Sequence, residues 1–341
     1  MTEQGVGGSG ERITIKHVAK DAGVSVAAVS KVMRNAYGVS VQLRQKVEAS
    51  IEKLNYRPSF AARGMRGRTY TVGILVIELT NPFLPPVIES VIGRMLENGY
   101  KALIGVGHSV DQIEASMIEA MIDNRMDGVI VIAPRITGKF LETFAQQIPI
   151  VAIAHHEQQS TTYDTVNSND REGARLAVGT MLDRGYRDIA MVGYNSKGDA
   201  ATEVARQREA GYADAMKEAG LERQARILRL PPPGDDKGPA LEALLTAKDR
   251  PRAVFVWSDL DGIPLLGACK EFGIRVPDDL AVVAYDNSPP AAIPMISLSS
   301  VDQNPLQMGQ TAADLLLSRI AGRETTQHIL IKPNVVVRNS I

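Results

Sequence analysis

From Tyr70 onward, apolar runs of strand length alternate with stretches of helical period, and this alternation constrains the fold more than any other feature of the chain. Residues 71–79, 101–106, 128–133 and 149–154 are predicted as buried strands, with helices starting near Pro82, Asp111 and Thr137. A continuous apolar run buries both faces of a strand, and a return to a parallel neighbour needs a crossover helix. The pattern therefore predicts a parallel sheet covered by helices on both sides. A second series follows, with strands at 188–193, 226–230, 253–258 and 280–285 and helices near 170–184, 202–219, 239–247 and 261–272. Each series is about 130 residues long, the size of one domain. The ending reads as a strand at 296–301, a helix at 305–320 and a strand at 329–337, so the chain is expected to cross back between the two units. The expected partition of 70–341 is a first subdomain of about 70–165 plus 302–328 and a second of about 166–301 plus 329–341.

Ahead of this body lies a small head of different character. Residues 1–69 carry 12 Lys/Arg against 5 Asp/Glu, whereas the whole chain has a net charge of −1. A basic head on an acidic body points to a polyanion as partner. Residues 1–11 are Gly-rich and polar and read as a disordered tail. Thr14 is an N-cap for a helix over 15–22, which Gly23 ends; Ser25 caps a second helix over 26–34, and Ser40 a third over 41–54. Two short helices joined through Gly23-Val24-Ser25 form a helix-turn-helix, and the small residues at the start of the second suit a major groove. A helical mini-domain without a DNA role is the bland alternative.

The residues are more specific than the pattern. Thr14-Ile15-Lys16, Val18-Ala19, Ala22-Gly23-Val24-Ser25 and Val29-Ser30-Lys31-Val32, followed by Leu54-Asn55-Tyr56-Arg57-Pro58-Ser59 and Ala61-Ala62-Arg63, resemble the headpiece and hinge of LacI/GalR-type repressors. The resemblance implies an all-α helix-turn-helix domain at 12–57, a hinge helix or linker at 58–69, and a periplasmic-binding-protein-like core of two doubly wound parallel-sheet subdomains. It implies Thr14, Ser25, Val26, Ala27, Ser30, Lys31, Asn35 and Tyr56 at the DNA, with Ala62, Arg63 and Met65 in the hinge. Val26 and Ala27 are expected at base edges, Lys31 at a guanine or phosphate, and Ser25 at a phosphate. His17, Ala28 and Lys31 stand where the family usually has Asp, Thr and Arg, and Met65 stands where a leucine wedges into the minor groove. About two turns of hinge, interrupted by Gly64, are too short to be helical alone, so the hinge is expected to fold only on DNA.

Ligands of open parallel sheets bind beyond the strand C-termini. Strand-end residues therefore mark the expected effector cleft: Phe83, Arg135, His155, Ser258, Asp259 and Asp286. The resemblance adds Arg208, from Ala205-Arg206-Gln207-Arg208, and Gln303, and it matches Asp286 to the family's pocket aspartate. An Arg–Asp pair suits vicinal hydroxyls, and Phe83 with Trp257 would cover an apolar sugar face. Plainer readings stand beside these: Asp286 as a loop cap, Arg208 as a surface helix charge, Trp257 as core.

Other signals carry little. Gly105-Val106-Gly107 lacks the third glycine of a dinucleotide fingerprint, no Walker-type Gly-Lys-Ser/Thr occurs, and no Gly-x-Ser-x-Gly elbow is present. His155-His156-Glu157 lacks the spacing of a zinc helix and reads as a pocket rim. Cys269, the one cysteine, reads as buried and inert. No cofactor, metal or enzyme activity is expected. No apolar run is long enough for a membrane span and no signal peptide leads the chain, which points to the cytoplasm. No leucine heptad follows the last strand, so a homodimer rather than a tetramer is expected. The reading is a transcriptional repressor on a pseudo-palindromic operator, controlled by a small ligand, expected to be a sugar. The alternative is a sugar-binding or sugar-processing protein with an incidental basic head.

Overall fold

The computed structural model describes residues 13–33, 36–56, 67–157, 159–194, 203–231 and 235–341. They belong to two compact units, Met1–Thr69 and Tyr70–Ile341.

In the first unit, α1 (Ile15–Asp21), α2 (Val26–Met33) and α3 (Val41–Lys53) enclose a core of Val18, Ala19, Val29, Val32, Val47 and Tyr56. Gly23 takes φ +64°, the left-handed turn that a side chain would strain. Ser25 Oγ accepts from the Ala28 N–H at 3.1 Å and Ser40 Oγ from the Leu43 N–H at 3.3 Å, so both expected caps form. The Thr14 N–H donates to Nδ1 of His17 at 3.2 Å. His17 thus supplies the reciprocal acceptor that a capping box takes from an acidic or amide side chain. Asp21, at the end of α1, accepts from Ser50 Oγ at 2.9 Å and Lys53 Nζ at 2.7 Å and ties α1 to α3.

The second unit runs β1 (Thr71–Val76), α4 (Leu84–Glu97), β2 (Lys101–Val106), α5 (Asp111–Asp123), β3 (Gly128–Ile132), α6 (Gly138–Ala145), β4 (Ile150–Ile153), β5 (Asp164–Ser168), α7 (Asp170–Asp183), β6 (Ile189–Tyr194), α8 (Glu203–Glu218), β7 (Arg226–Leu230), α9 (Gly238–Thr246), β8 (Ala253–Val256), α10 (Asp259–Glu271), β9 (Ala281–Tyr285), β10 (Ser299–Asp302), α11 (Pro305–Ile320), β11 (His328–Ile331) and β12 (Asn334–Val336). The strands form two six-stranded sheets, ordered β11-β5-β4-β3-β1-β2 and β12-β10-β9-β8-β6-β7. The pairs are parallel except for β12, which lies antiparallel to β10. Apolar cores cover both faces of each sheet: α4 and α11 share one with the first sheet, α7 and α8 another with the second. α7 and α8 cross closely because Gly211 has no Cβ, which would stand 2.0 Å from the Arg171 carbonyl oxygen.

Three sequence expectations change. β5, Asp-Thr-Val-Asn-Ser, was not expected as a strand, yet all five residues are buried. Its polar groups are satisfied internally: Asp164 by Arg319 and Gln327, Asn167 by the His155 backbone, Thr165 by His328. The single strand expected at 329–337 is two strands in different sheets, separated at Lys332-Pro333, where proline offers no N–H to a ladder. The expected cuts at 165/166 and 328/329 consequently fall inside β5 and β11, both of which pair in the first sheet.

Candidate effector cleft and DNA-reading face

The C-terminal ends of the strands bring one buried polar cluster together. Arg208, on α8, is its centre, with a side chain only 5% exposed. Its Nε donates to Asp170 Oδ1 at 2.8 Å and its Nη1 to the Trp257 carbonyl at 2.7 Å. The guanidinium lies 3.6 Å over the Tyr285 ring and 4.5 Å over that of Trp257, so two π faces and a carboxylate hold the charge. Asp286 Oδ1 stands 3.8 Å from Arg208 Nη2 and accepts from Gln303 Nε2 at 2.7 Å. Asp286 adopts φ +108° and Asn287 φ +44°, backbone conformations that non-glycine residues seldom take and that a functional site retains at a cost.

The two carboxylates are not equivalent. Burial works against the charge of Asp170, but Arg208 and the His156 hydrogen bond more than offset it and hold its carboxyl below the usual range. Burial dominates at Asp286 and pushes its carboxyl well above the usual range, with Arg208 only a partial counterweight. Arg208 thus has Asp170 as its counter-ion, and Asp286 is the second carboxylate on a cation already committed.

The remaining expected cleft residues divide. His155 sits at the end of β4; its Nε2 pairs with the Tyr163 hydroxyl at 3.0 Å, and burial lowers its pKa. Ser258 is buried and its Oγ meets Asp261 Oδ2 at 3.2 Å. Asp259 has no exposure: its carboxylate accepts from the Ser288 N–H and Oγ and from Ser300 Oγ, so both of its oxygens are already engaged. Phe83 is buried in the apolar core of the first subdomain. Arg135 is exposed, and its backbone N–H donates to Glu114 at 2.8 Å; no contact joins its side chain to the Arg208 cluster. Trp257, read as core, is half-buried under Arg208. Cys269 is buried and its thiol is pushed up to about 11 by burial.

Sequence reasoning missed Asp170, Tyr285 and the role of His156, whose Nε2 lies 2.9 Å from Asp170 Oδ2. An acidic residue opening a helix directly after a polar, strand-length segment was the available signal. It also missed a flanking group: Tyr194 donates to Asp261 at 2.6 Å, and Lys237 pairs with both. Among the described residues, no cluster of His, Cys, Asp and Glu has the makings of a metal site.

In the head, α2 exposes Ser25, Ala27 and Lys31 and leaves Val26 half-buried. Thr14 is exposed. Ser30 and Tyr56 are buried, at 6% and 7%, and Tyr56 packs in the three-helix core. Asn35, Ala62, Arg63 and Met65 lie outside the described residues.

Residues 14–59 match the family described as "Bacterial regulatory proteins, lacI family", and residues 178–341 match "Periplasmic binding protein-like domain". The chain is 32% identical over 333 residues to the HTH-type transcriptional repressor PurR of Erwinia tasmaniensis, covering 96% of both chains. This chain belongs to the lacI family of bacterial regulatory proteins. It is a DNA-binding transcriptional repressor under ligand control and not an enzyme. The family extends over the whole architecture: the chain is 30% identical to the PurR repressor of Vibrio campbellii, with 96% of this chain and 98% of the relative covered. Among solved structures it resembles the complex of the transcriptional regulator CelR with cellobiose (27% identity, TM-score 0.69, 97% and 100% of the two chains). It shares the fold of the Lac repressor dimer bound to operator and an anti-inducer (23% identity, TM-score 0.81, 97% and 99%). No helix among the described residues is long and apolar enough to cross a membrane.

Proposed function

We propose that this repressor acts in the cytoplasm as a homodimer on a pseudo-palindromic operator, and that a small neutral polar ligand, a sugar in the first instance, binds between its subdomains at Arg208 and Asp286. The observation that carries the ligand reading is the buried Arg208–Asp170–Asp286–Gln303 cluster at the strand C-termini, with Asp286 in a strained backbone conformation. Asp286 and Gln303 accept and donate to hydroxyls, while the half-buried Trp257 ring supplies an apolar face. Arg208 is already neutralised by Asp170, so among the described residues the cluster offers an anionic ligand no uncommitted cation. The cellobiose complex of a relative supports the sugar reading.

Ser25, Val26, Ala27 and Lys31 read the operator, with the short side chains at thymine methyls and Lys31 at a guanine or phosphate. The segment 58–69 contributes Arg63 and a Met65 wedge at the centre of the site. The dimer forms on the body, where the edge strand β2 exposes Leu103 and Ile104 at 46% and 48%, beside exposed Val110 and Ile113. Closure of the cleft alters the presentation of the paired heads, so ligand and operator shift each other's affinity.

A thermal-shift panel of cellobiose, monosaccharides, sugar phosphates and purine bases tests the ligand class. A ligand at 100 times its Kd adds about 2.7 kcal/mol of stability. Stabilisation by a neutral sugar that is lost in Asp286→Ala supports the reading, and stabilisation by sugar phosphates alone overturns it. Sedimentation of the DNA-free chain tests the dimer; a stable tetramer or a monomer contradicts it.

A further inference from the structure

A chain of polar contacts runs through the cluster from one subdomain into the other. His156 follows β4 in the first sheet. Asp170 opens α7, which packs on the second sheet, one residue after the chain has left β5. His156 Nε2 lies 2.9 Å from Asp170 Oδ2, and the side chains are 8% and 3% exposed. Asp170 Oδ1 takes Arg208 Nε at 2.8 Å; Arg208 faces Asp286; Asp286 holds Gln303, which follows β10 where the chain returns to the first subdomain. The series therefore begins on the first subdomain and ends at a crossover. Asp170 is a carboxylate with each oxygen engaged, so the nitrogen facing it on His156 is an N–H donor.

We propose that His156 is a positioning residue for ligand control. Anchored on the first subdomain, it holds Asp170 and, through Asp170, fixes the guanidinium that the ligand meets. Separation of the subdomains withdraws one of the two donors from Asp170 and leaves Arg208 as its sole partner within this series. The charge distribution of the cleft then changes along with its width. A ligand that needs Arg208 where it lies favours the arrangement in which His156 touches Asp170, and the operator feels that preference by linkage. In water such a pair would be worth little; here both partners are buried, and withdrawal of one leaves a buried charge short of a donor.

The inference rests on the effector reading of this cleft, but its test needs no ligand. Trp257 is the only tryptophan of the chain, and the Arg208 guanidinium lies 4.5 Å over its ring. Emission and acrylamide quenching of the full-length, ligand-free protein therefore report the placement of Arg208. His156→Ala and His156→Asn, which cannot reach Asp170, are expected to shift the emission maximum and alter quenching; His156→Gln, with an amide N–H of similar reach, is expected to keep the parental values. On operator DNA selected from genomic fragments, His156→Ala is expected to change ligand-free affinity about fivefold or more, with His156→Gln at the parental value. Parental emission and quenching in His156→Ala, or a His156→Gln protein as altered as His156→Ala, overturns the proposal. An unchanged operator affinity in a His156→Ala protein whose emission has shifted overturns the coupling. Failure of every compound in the thermal-shift panel would instead count against the effector reading and leave these fluorescence results standing.

Discussion

Replacement of Arg208 by methionine tests whether the cluster is a balanced charge system. Methionine keeps the unbranched stem and can still cover the Tyr285 ring, but it removes the charge, the 2.8 Å bond to Asp170 and the 2.7 Å bond to the Trp257 carbonyl. Asp170 then remains as a buried carboxylate with His156 as its surviving side-chain donor. Loss of one partner of a buried pair costs about 3–5 kcal/mol, chiefly through the charge left behind. The paired variant Arg208→Met with Asp170→Asn removes that charge while the amide can still accept from His156. Its cost is therefore expected to fall short of the sum of the single variants by about 2–3 kcal/mol. Urea unfolding followed at Trp257 reads the body alone, because the chain has no other tryptophan. A cost of Arg208→Met below about 1 kcal/mol, the scale of an exposed pair, would refute the argument. Strict additivity in the double variant would refute it equally.

Asp286→Asn is expected to stabilise the ligand-free protein at neutral pH. The folded carboxyl has a raised pKa, so above the unfolded value the native state retains a proton that the unfolded chain has lost, and stability falls as pH rises through that window; urea midpoints from pH 4 to 8 should show that slope in the parent and a flatter one in the variant. His17→Ala is expected to lower the thermal midpoint of the head, and His17→Asp to preserve it, because an aspartate restores an acceptor for the Thr14 N–H; circular dichroism melts compare them. Lys31→Ala is expected to relax preference at one base pair per half-site in a selection experiment, whereas uniform weakening across sequences would show that Lys31 meets only phosphate.

The sheets of the body were legible because their strands are apolar on both faces: Val129, Ile130, Val131 and Ile132 of β3 are buried, and a short, wholly β-branched run of that kind fits a covered parallel strand. β5 was not legible for the converse reason. Asp164 and Asn167 look like loop residues until Arg319 and the backbone of His155, distant in sequence, arrive to satisfy them. The same holds at the cleft. Arg208 and Asp286 were reached through motifs, but the partner that commits the charge of Arg208, Asp170, carries no motif, only the weak signal of an acidic residue opening a helix, and tertiary proximity defines its role. Asp259 shows the converse: a strand-end carboxylate is visible in the sequence, but its partners Ser288 and Ser300 are not. In the head, periodicity located all three helices but could not assign Ser30 and Tyr56, small or amphipathic residues that serve a core and a surface equally well.

The central claim is that one ligand, bound at Arg208 and Asp286, governs operator affinity. Its most direct test is reciprocal titration: operator affinity with and without the ligand that stabilises the protein in the thermal-shift panel, and affinity for that ligand with and without operator. The account predicts that the two ratios are the same factor, about 5–150-fold, and that both collapse to unity in Asp286→Ala while ligand-free operator binding persists. Ligand binding that leaves operator affinity unchanged, or a full response in Asp286→Ala, would contradict it.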